Sequence, residues 1–492
     1  DEYVPLSRAS DGSITTQYIM TTLEELGLLK MDFLGLRTLT VIRDACEMVE
    51  ANRGVHIDIS GIDYDDPKVM EMIGSGQTEG IFQLESGGMK NFMKELKPKS
   101  LEDVIAGISL YRPGPMDFIP QYIAGKNNPD KVTYVCPELE PILNTTYGCI
   151  VYQEQVMQIV RSLAGYTMGD SDNIRRAMSK KKQYVIDENR EYFVYGSKEK
   201  NIPGCVALGI GEQAANTIYD SMVDFAKYAF NKSHAACYAL VSMQTAYLKC
   251  YYPEEFMAAL LTSVLGRPDK VAQYIMTCRD MGIEILPPDV NEGGIAFTAK
   301  EGRIRYTLSA VKSVGRPVIQ KIIDDRTLRG PYKNIKDFLT RVGEGGELNK
   351  RVVENLIKAG AFDSLGNNRR QLLMIYEHLM DTVHKDRKKN AAGQMSLFEI
   401  MNTDNAGLAE YKVPPVDEMP KEELLQNEKE VLSIYLSGHP IQEYQELWHK
   451  YITNTTIDFK VVSEFDDEAI EGAGVAADPA IVSGSDDSSD EP

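Results

Sequence analysis

Asp32 closes the apolar run Leu28-Leu29-Lys30-Met31-Asp32-Phe33-Leu34, which reads as a buried strand. A carboxylate at the end of such a strand points from a rigid element toward a sheet surface, where divalent metal ions are held. A two-metal phosphoryl-transfer site needs several clustered carboxylates and this strand supplies one. A solvated strand-end Asp is the plain alternative. A second group is cationic: Arg175-Arg176-Ala177-Met178-Ser179-Lys180-Lys181-Lys182 packs five cations into eight residues. On a helix Arg175, Ser179 and Lys182 share one face and Arg176 and Lys180 its neighbour, so several could meet one phosphate chain. A solvated charge run is the competing reading. Tyr228-Ala229-Phe230-Asn231-Lys232-Ser233-His234 opens a helix and places Lys232 beside free N-terminal amides, an arrangement suited to an anion, with Ser233 available as a cap. Ile73 to Gly80 is a glycine-containing loop that could turn amides toward a phosphate. Tyr111-Arg112-Pro113-Gly114-Pro115 is a stiff turn presenting Arg112.

Two further stretches suggest contact with larger partners. Leu308 to Ile322 joins a short helix to another through the turn Lys312-Ser313-Val314-Gly315-Arg316, with Pro317 early in the second helix. This is the helix-hairpin-helix arrangement, whose turn amides bind a DNA phosphate without reading sequence. Asn349 to Gly360 looks like a second copy: Asn349 caps, Val352, Val353, Leu356 and Ile357 form the apolar stripe, and Gly360 terminates. Lys321, Lys350, Arg351 and Lys358 lie nearby; a small helical packing module is the alternative. Gln394-Met395-Ser396-Leu397-Phe398 stands alone in a polar stretch with no local core to join, so it should dock elsewhere, within the chain or in a partner's pocket.

The elements that must position these residues are mainly helical. Val156, Ile159, Val160 and Leu163 make the stripe of a helix between Tyr152 and Tyr166, Ala236, Leu240, Met243 and Tyr247 that of another from His234 to Lys249, and Pro253 starts a third. A helix is expected from about Arg37 and a strand over Gly302 to Tyr306, and Leu286-Pro287-Pro288-Asp289 suggests a boundary. A chain of 492 residues exceeds one core and suggests about three domains. With 43% hydrophobic and 26% charged residues it is neither collagen-like nor wholly disordered, and no apolar run approaches the ~18 residues of a membrane span. The opening Asp1-Glu2-Tyr3-Val4 holds no basic segment, apolar stretch or Met, so no secretory signal is expected and the chain reads as a fragment. Seven cysteines without a Cys-x-x-Cys pair read as reduced, cytosolic thiols and argue against zinc. The net charge of −20 would argue against nucleic acid, but nine acids fall from Asp466 onward with no Lys or Arg, so the first 465 residues carry −11.

In combination the motifs resemble the alpha subunit of bacterial DNA polymerase III, the family C replicative polymerases. The stretches that carry the resemblance are Lys30 to Thr38, Gly80-Ile81-Phe82-Gln83-Leu84-Glu85-Ser86, Tyr111 to Met116, Tyr152-Gln153-Glu154-Gln155-Val156-Met157, Arg175 to Met178, Phe230 to Ala235 and Gly438-His439-Pro440, in the family's order. The resemblance implies a mainly α fold with minor β: the end of a palm over 1–40, helical fingers over 41–290, a tandem helix-hairpin-helix and clamp-binding domain over 291–435, the approach to an OB-fold region over 436–465 and an acidic tail over 466–492. It implies that Asp32 is the last of three palm aspartates holding two Mg²⁺ ions for template-directed nucleotidyl transfer to a primer 3′ end. Arg112, Arg175, Arg176, Lys180 and Lys232 become candidates for triphosphate or template phosphates, Lys312 to Arg316 for DNA, and Gln394 to Phe398 for a sliding clamp. The expected partners are primer-template DNA, deoxynucleoside triphosphates, the clamp and other replicase subunits in a bacterial cytoplasm, with no membrane. With one palm aspartate, the chain alone is expected not to polymerise. A DNA-binding, clamp-tethered scaffold and a translesion paralogue are the alternative readings.

Overall fold

The computed structural model describes residues 2–10, 12–29, 31, 35–179, 183–226, 230–343, 348–391, 411–444, 447 and 450–453. Asp32, Lys180, Gln394 to Phe398 and the acidic tail lie outside these described residues. The chain divides into two units, one up to Arg37 and one from Thr38 on.

The first unit is a ribbon of β1 (Leu6–Arg8) antiparallel to β2 (Ile14–Thr16), followed by α1 (Met20–Glu25). A two-stranded ribbon has no second layer to cover it, and every residue of both strands is exposed. Of the expected buried strand over Leu28 to Leu34, Lys30 and Asp32 to Leu34 lie outside the described residues, and the described Leu28, Leu29 and Met31 are exposed and paired with no strand.

The second unit is helical with one small sheet. The unit opens with α2 (Arg37–Arg53), whose Val41, Ile42 and Ala45 join the third core, and a first core is built chiefly by α3 (Pro67–Gly74), α4 (Gly87–Leu96), α5 (Leu101–Leu110) and α6 (Ile119–Asn127). Each of α3, α4 and α5 starts at a side-chain cap, Asp66, Ser86 and Ser100, which accepts from orphan amides of the first turn. A second core joins α7 (Glu140–Leu143), α8 (Gln153–Ala164), α9 (Met168–Ser179), α10 (Gln183–Tyr195) and α11 (Glu212–Ala226). The α8 stripe Val156, Ile159, Val160 and Leu163 is fully buried there, as the spacing predicts.

The long helix α12 (Lys232–Tyr251) crosses the unit and packs on α3, α5 and α13 (Pro253–Ser263). Its buried face differs from the expected stripe. Ala235, Ala239, Ser242, Met243 and Ala246 are buried, while Ala236, Leu240 and Tyr247 are half-buried. The small residues let the backbones of α12 and α5 approach closely, so the largest apolar side chains do not mark the most buried face.

The third core joins α12, α13 and α14 (Pro268–Asp280) to a sheet in which β5 (Arg303–Arg305) lies between parallel β3 (Glu284–Leu286) and antiparallel β4 (Thr298–Lys300). The same core continues through α15 (Arg316–Arg329), α16 (Ile335–Val342), α17 (Lys350–Lys358), α18 (Arg369–Ala391) and α19 (Lys421–Leu432). Pro287 and Pro288 do follow a strand, yet the packing runs on past them. The architecture is mainly α with minor β.

Candidate nucleic-acid interface

The turn that carries Arg112 is held at both ends. Tyr111 caps α5, Gly114 adopts φ +95°, and Pro115 starts a short 3₁₀ turn into α6. Behind it the buried carboxylate of Asp103 on α5 meets the Lys126 ammonium of α6 at 2.9 Å, and Lys126 also donates to the Leu96 and Lys97 carbonyls. Arg112 is thereby placed over the ring of Phe230, 3.7 Å from its centroid. Burial lowers the Arg112 pKa, and no carboxylate pairs with it among the described residues.

Phe230 is fixed from the other side. It forms a parallel bridge with Tyr152, and the Gln153 amide donates to its carbonyl at 3.0 Å, so the start of α8 is docked on the start of α12. From Phe230 a column of rings runs along α12: Phe230 to His234 at 5.3 Å, His234 to Tyr238 at 4.3 Å, and Tyr238 to Phe82 at 5.1 Å. His234 Nε2 is buried without a hydrogen-bond partner, and burial together with the Arg112 charge holds the imidazole below its ordinary pKa. An unpaired guanidinium beside an orphaned ring nitrogen is what an anion would satisfy.

The remaining cations border this niche. Arg175 donates to Gln153 Oε1 at 3.0 Å and to Asp172, and Arg176 pairs with the same Asp172 at 2.7 Å. Hydrogen bonding from Arg175 first, with the charge of both arginines, keeps Asp172 below the usual carboxylate range. Lys232 reaches Glu102 at 3.0 Å and lies over the Tyr152 ring. The amides expected to be free are not: the Lys232 amide donates to both oxygens of Glu154, at 3.0 and 3.1 Å, and the His234 amide to Asn231 Oδ1 at 2.8 Å. Asn231, not Ser233, is the cap. The helix terminus already holds an anion from its own chain, so the open anion position is at Arg112 and His234.

The Ile73 to Gly80 loop also departs from expectation. Its carbonyls, not its amides, converge: buried Lys249 donates to Gln77 O at 2.9 Å and Glu79 O at 2.8 Å, and the Gly80 amide donates to Glu85. Burial first lowers the Lys249 pKa, to about 8, against the favourable charge of Glu79. The loop is an internal clamp.

At the first hairpin turn Lys312, Ser313, Gly315 and Arg316 are exposed and Val314 is buried. Ser313 takes φ +65°, whereas Gly315 is extended and caps α15. The Lys312 amide donates to Val431 O at 2.9 Å and its ammonium to Glu430 O at 2.6 Å, so one corner of the turn is tied to α19. In the second hairpin copy Asn349 accepts from the Val352 amide, the stripe is buried, and Gly360 has φ +84°. Lys350 pairs with Glu377 and Asp381, and Lys358 with Glu354 and Glu430. Arg351 is exposed and Lys321 half-buried. Among the described residues no group of three His, Cys, Asp or Glu side chains could hold a metal ion, and no helix is long and apolar enough to cross a membrane.

Sequence reasoning had the cations and missed what surrounds them. The spacing of Phe230, His234 and Tyr238 by four residues was a readable signal for a ring column on one helix face. Glu154 as the anion on Lys232 had no local signal, because the two residues are 78 positions apart.

Comparison with known proteins gives matches over both the helical and the hairpin regions. Residues 38–201 match the bacterial DNA polymerase III alpha subunit finger domain, and residues 282–372 a helix-hairpin-helix motif. The DNA polymerase III subunit alpha of Thermus aquaticus is 45% identical over 472 residues, covering 94% of this chain and 37% of that protein. Those of Bacillus subtilis and Mycobacterium tuberculosis are 42% and 44% identical, over 90% and 89% of the chain and 38% and 37% of their own lengths. The chain therefore spans little more than a third of the curated relatives it matches. With these matches and this architecture, the chain belongs to the bacterial DNA polymerase III alpha-subunit family, of which it carries the fingers and helix-hairpin-helix regions.

Proposed function

We propose that this chain serves as the fingers and DNA-holding region of a replicative DNA polymerase, and that the niche at Arg112, Phe230 and His234 receives the phosphates of the incoming deoxynucleoside triphosphate. The observation that carries the reading is the pairing of an ion-pair-free Arg112 guanidinium with the orphaned His234 Nε2. Arg175, placed by Gln153 and Asp172, and Lys232, placed by Glu102, flank the niche and can turn toward a polyanion by exchanging their carboxylates for phosphate oxygens. Arg176 extends the positive edge, and Lys180, which lies outside the described residues, is proposed as a further phosphate contact. In the intact polymerase the primer 3′-hydroxyl attacks the alpha-phosphate and pyrophosphate leaves. The work of this chain is to hold the triphosphate in line and neutralise its charge.

The two Mg²⁺ ions of such chemistry would be held through Asp32 and carboxylates beyond the described residues, and none of the steps assigned here runs through them. With Asp32 as its one assigned metal carboxylate, the chain alone is expected not to extend a primer, and extension by the purified chain would overturn this. Gln394 to Phe398 is proposed as the sliding-clamp peptide. Template-primer DNA is proposed to lie along the first hairpin turn, with the clamp and other replicase subunits as further partners.

Calorimetric titration of the chain with a deoxynucleoside triphosphate tests the niche. Arg112→Ala should weaken binding by about tenfold or more and Arg112→Lys by less, because a guanidinium donates to two oxygens at once. Unchanged affinity in Arg112→Ala and His234→Ala alike would remove the triphosphate from this site.

A further inference from the structure

The two hairpin turns align at a left-handed residue followed by a buried one, though they close over three and five residues, and the positions that come next have opposite chemistry. In the first, Ser313 takes the left-handed conformation, the buried Val314 donates back to Val311 O, Gly315 caps the following helix, and exposed Arg316 is its first residue. In the second, Gly360 is left-handed, buried Ala361 donates back to Leu356 O, Phe362 precedes the 3₁₀ turn Asp363–Leu365, and Asp363 is its first residue. So Gly315 corresponds to Phe362 and Arg316 to Asp363. The amides of Ser313 and Gly315 and the Arg316 guanidinium have no partner among the described residues. In the second turn the Gly360 amide donates to Ile357 O at 2.9 Å, Phe362 sets a fully buried ring where Gly315 has no side chain, and Asp363 sets a carboxylate, which repels a phosphate, where Arg316 stands.

The second turn is also occupied. The buried guanidinium of Arg369 lies across it, bonded to Asp363 at 2.8 and 3.1 Å, to Lys358 O at 3.3 Å and to Glu428 of α19 at 3.1 Å. A Cβ added at Gly360 would run into that guanidinium. Glu428 is 1% exposed, and its other oxygen accepts from the Leu436 and Ser437 amides at 3.0 and 2.9 Å. The ion pair is thus completed by backbone donors from the segment that follows α19, and the Arg369 guanidinium is engaged by Asp363, Lys358 O and Glu428 where an outside phosphate would need its donors.

We infer that the second hairpin has exchanged phosphate contact for an intramolecular clasp on residues 428–437, leaving the first turn as the one hairpin contact to a nucleic-acid phosphate. The inference rests on the reading that this region meets DNA. Its consequence is mechanical: α19 and the chain leading to Gly438 are fastened to the DNA-holding module through Asp363, Arg369 and Glu428.

Anisotropy titration of the full chain with a duplex oligonucleotide at several salt concentrations tests it, using exposed cations so that folding is kept. Arg316→Glu should weaken binding about tenfold and lower the salt slope by about one. Arg370→Glu, exposed beside the second turn, should change affinity less than twofold. Equal losses from both would restore a second phosphate contact and overturn the inference while leaving the DNA reading intact. No loss from either would overturn the DNA reading itself. Glu428→Gln should speed hydrogen exchange at Leu436 and Ser437 while DNA affinity stays within twofold; unchanged exchange there would remove the clasp.

Discussion

His234 concentrates the chemistry of the niche in one nitrogen. In the free chain its imidazole is neutral near pH 7, because burial and then the Arg112 charge disfavour protonation. A phosphate group brought against Nε2 reverses that balance by favouring the imidazolium, so binding of a triphosphate takes up a proton and tightens as pH falls, by up to tenfold per unit for one proton. For folding the sign is separate. Between the depressed value and the ordinary 6.5 the unfolded chain binds more protons, so this residue's contribution to stability is present above that window and is lost as pH falls through it. The check is a histidine NMR titration: His234 should titrate below 6.5 alone and above its own free value with a deoxynucleoside triphosphate, and an unmoved titration would place the phosphates elsewhere. The cations of this site were legible because residue type alone reports charge. Asp172, three and four residues before Arg175 and Arg176 on one helix, was a readable partner, but Glu102 and Glu154 are ordinary surface acids until the helices are docked.

Element by element, the site depends on ion pairs that no phosphate touches. Asp103 and Lys126 join α5 to α6 across the turn that bears Arg112, both side chains less than a tenth exposed. Asp103 also accepts from the Lys99 amide at 2.8 Å. Removing one partner strands the other charge in the core, so Asp103→Ala should cost about 3–5 kcal/mol of stability, read as a lower urea midpoint at unchanged slope. Asp103→Asn, which keeps an acceptor, should cost less. Loss of the pair should also weaken triphosphate binding before unfolding sets in, because the 111–118 turn loses its anchor. Boundaries of the strongly periodic or capped helices were readable, as with α8, α13 and α17. The face of α12 was not, because close helix contact selects Ala and Ser over the larger apolar residues that a periodicity argument follows.

At the scale of the whole molecule the question is whether residues 287–288 separate two bodies. Paired prolines are local punctuation and read naturally as a linker. What they cannot report is that β3, before them, pairs in parallel with β5, after them, so that the strands on either side share one ladder. Around that ladder a single apolar cluster takes Val41, Phe256 and Ile275 from one side and Ile304, Ile322, Leu356 and Val431 from the other. Polar ties follow the same path: Asn52 donates to Ala299 O at 2.6 Å, and Arg279 donates to Leu436 O at 2.8 Å. Cutting the chain after Leu286 would expose the buried faces of α13 and α14 and leave β3 without its ladder, and apolar surface of that extent is not left bare by a stable fold. Residues 38–286 expressed alone should therefore keep helical circular dichroism yet bind a hydrophobic dye and melt without a sharp transition, whereas residues 38–444 should melt cooperatively. A sharp, dye-silent transition in the shorter piece would mean that the fingers fold by themselves and that the shared core is an interface. The expected result would instead make the module proposed to hold DNA and the module proposed to hold the nucleotide one body, so that strain at either is carried through packed side chains to the other.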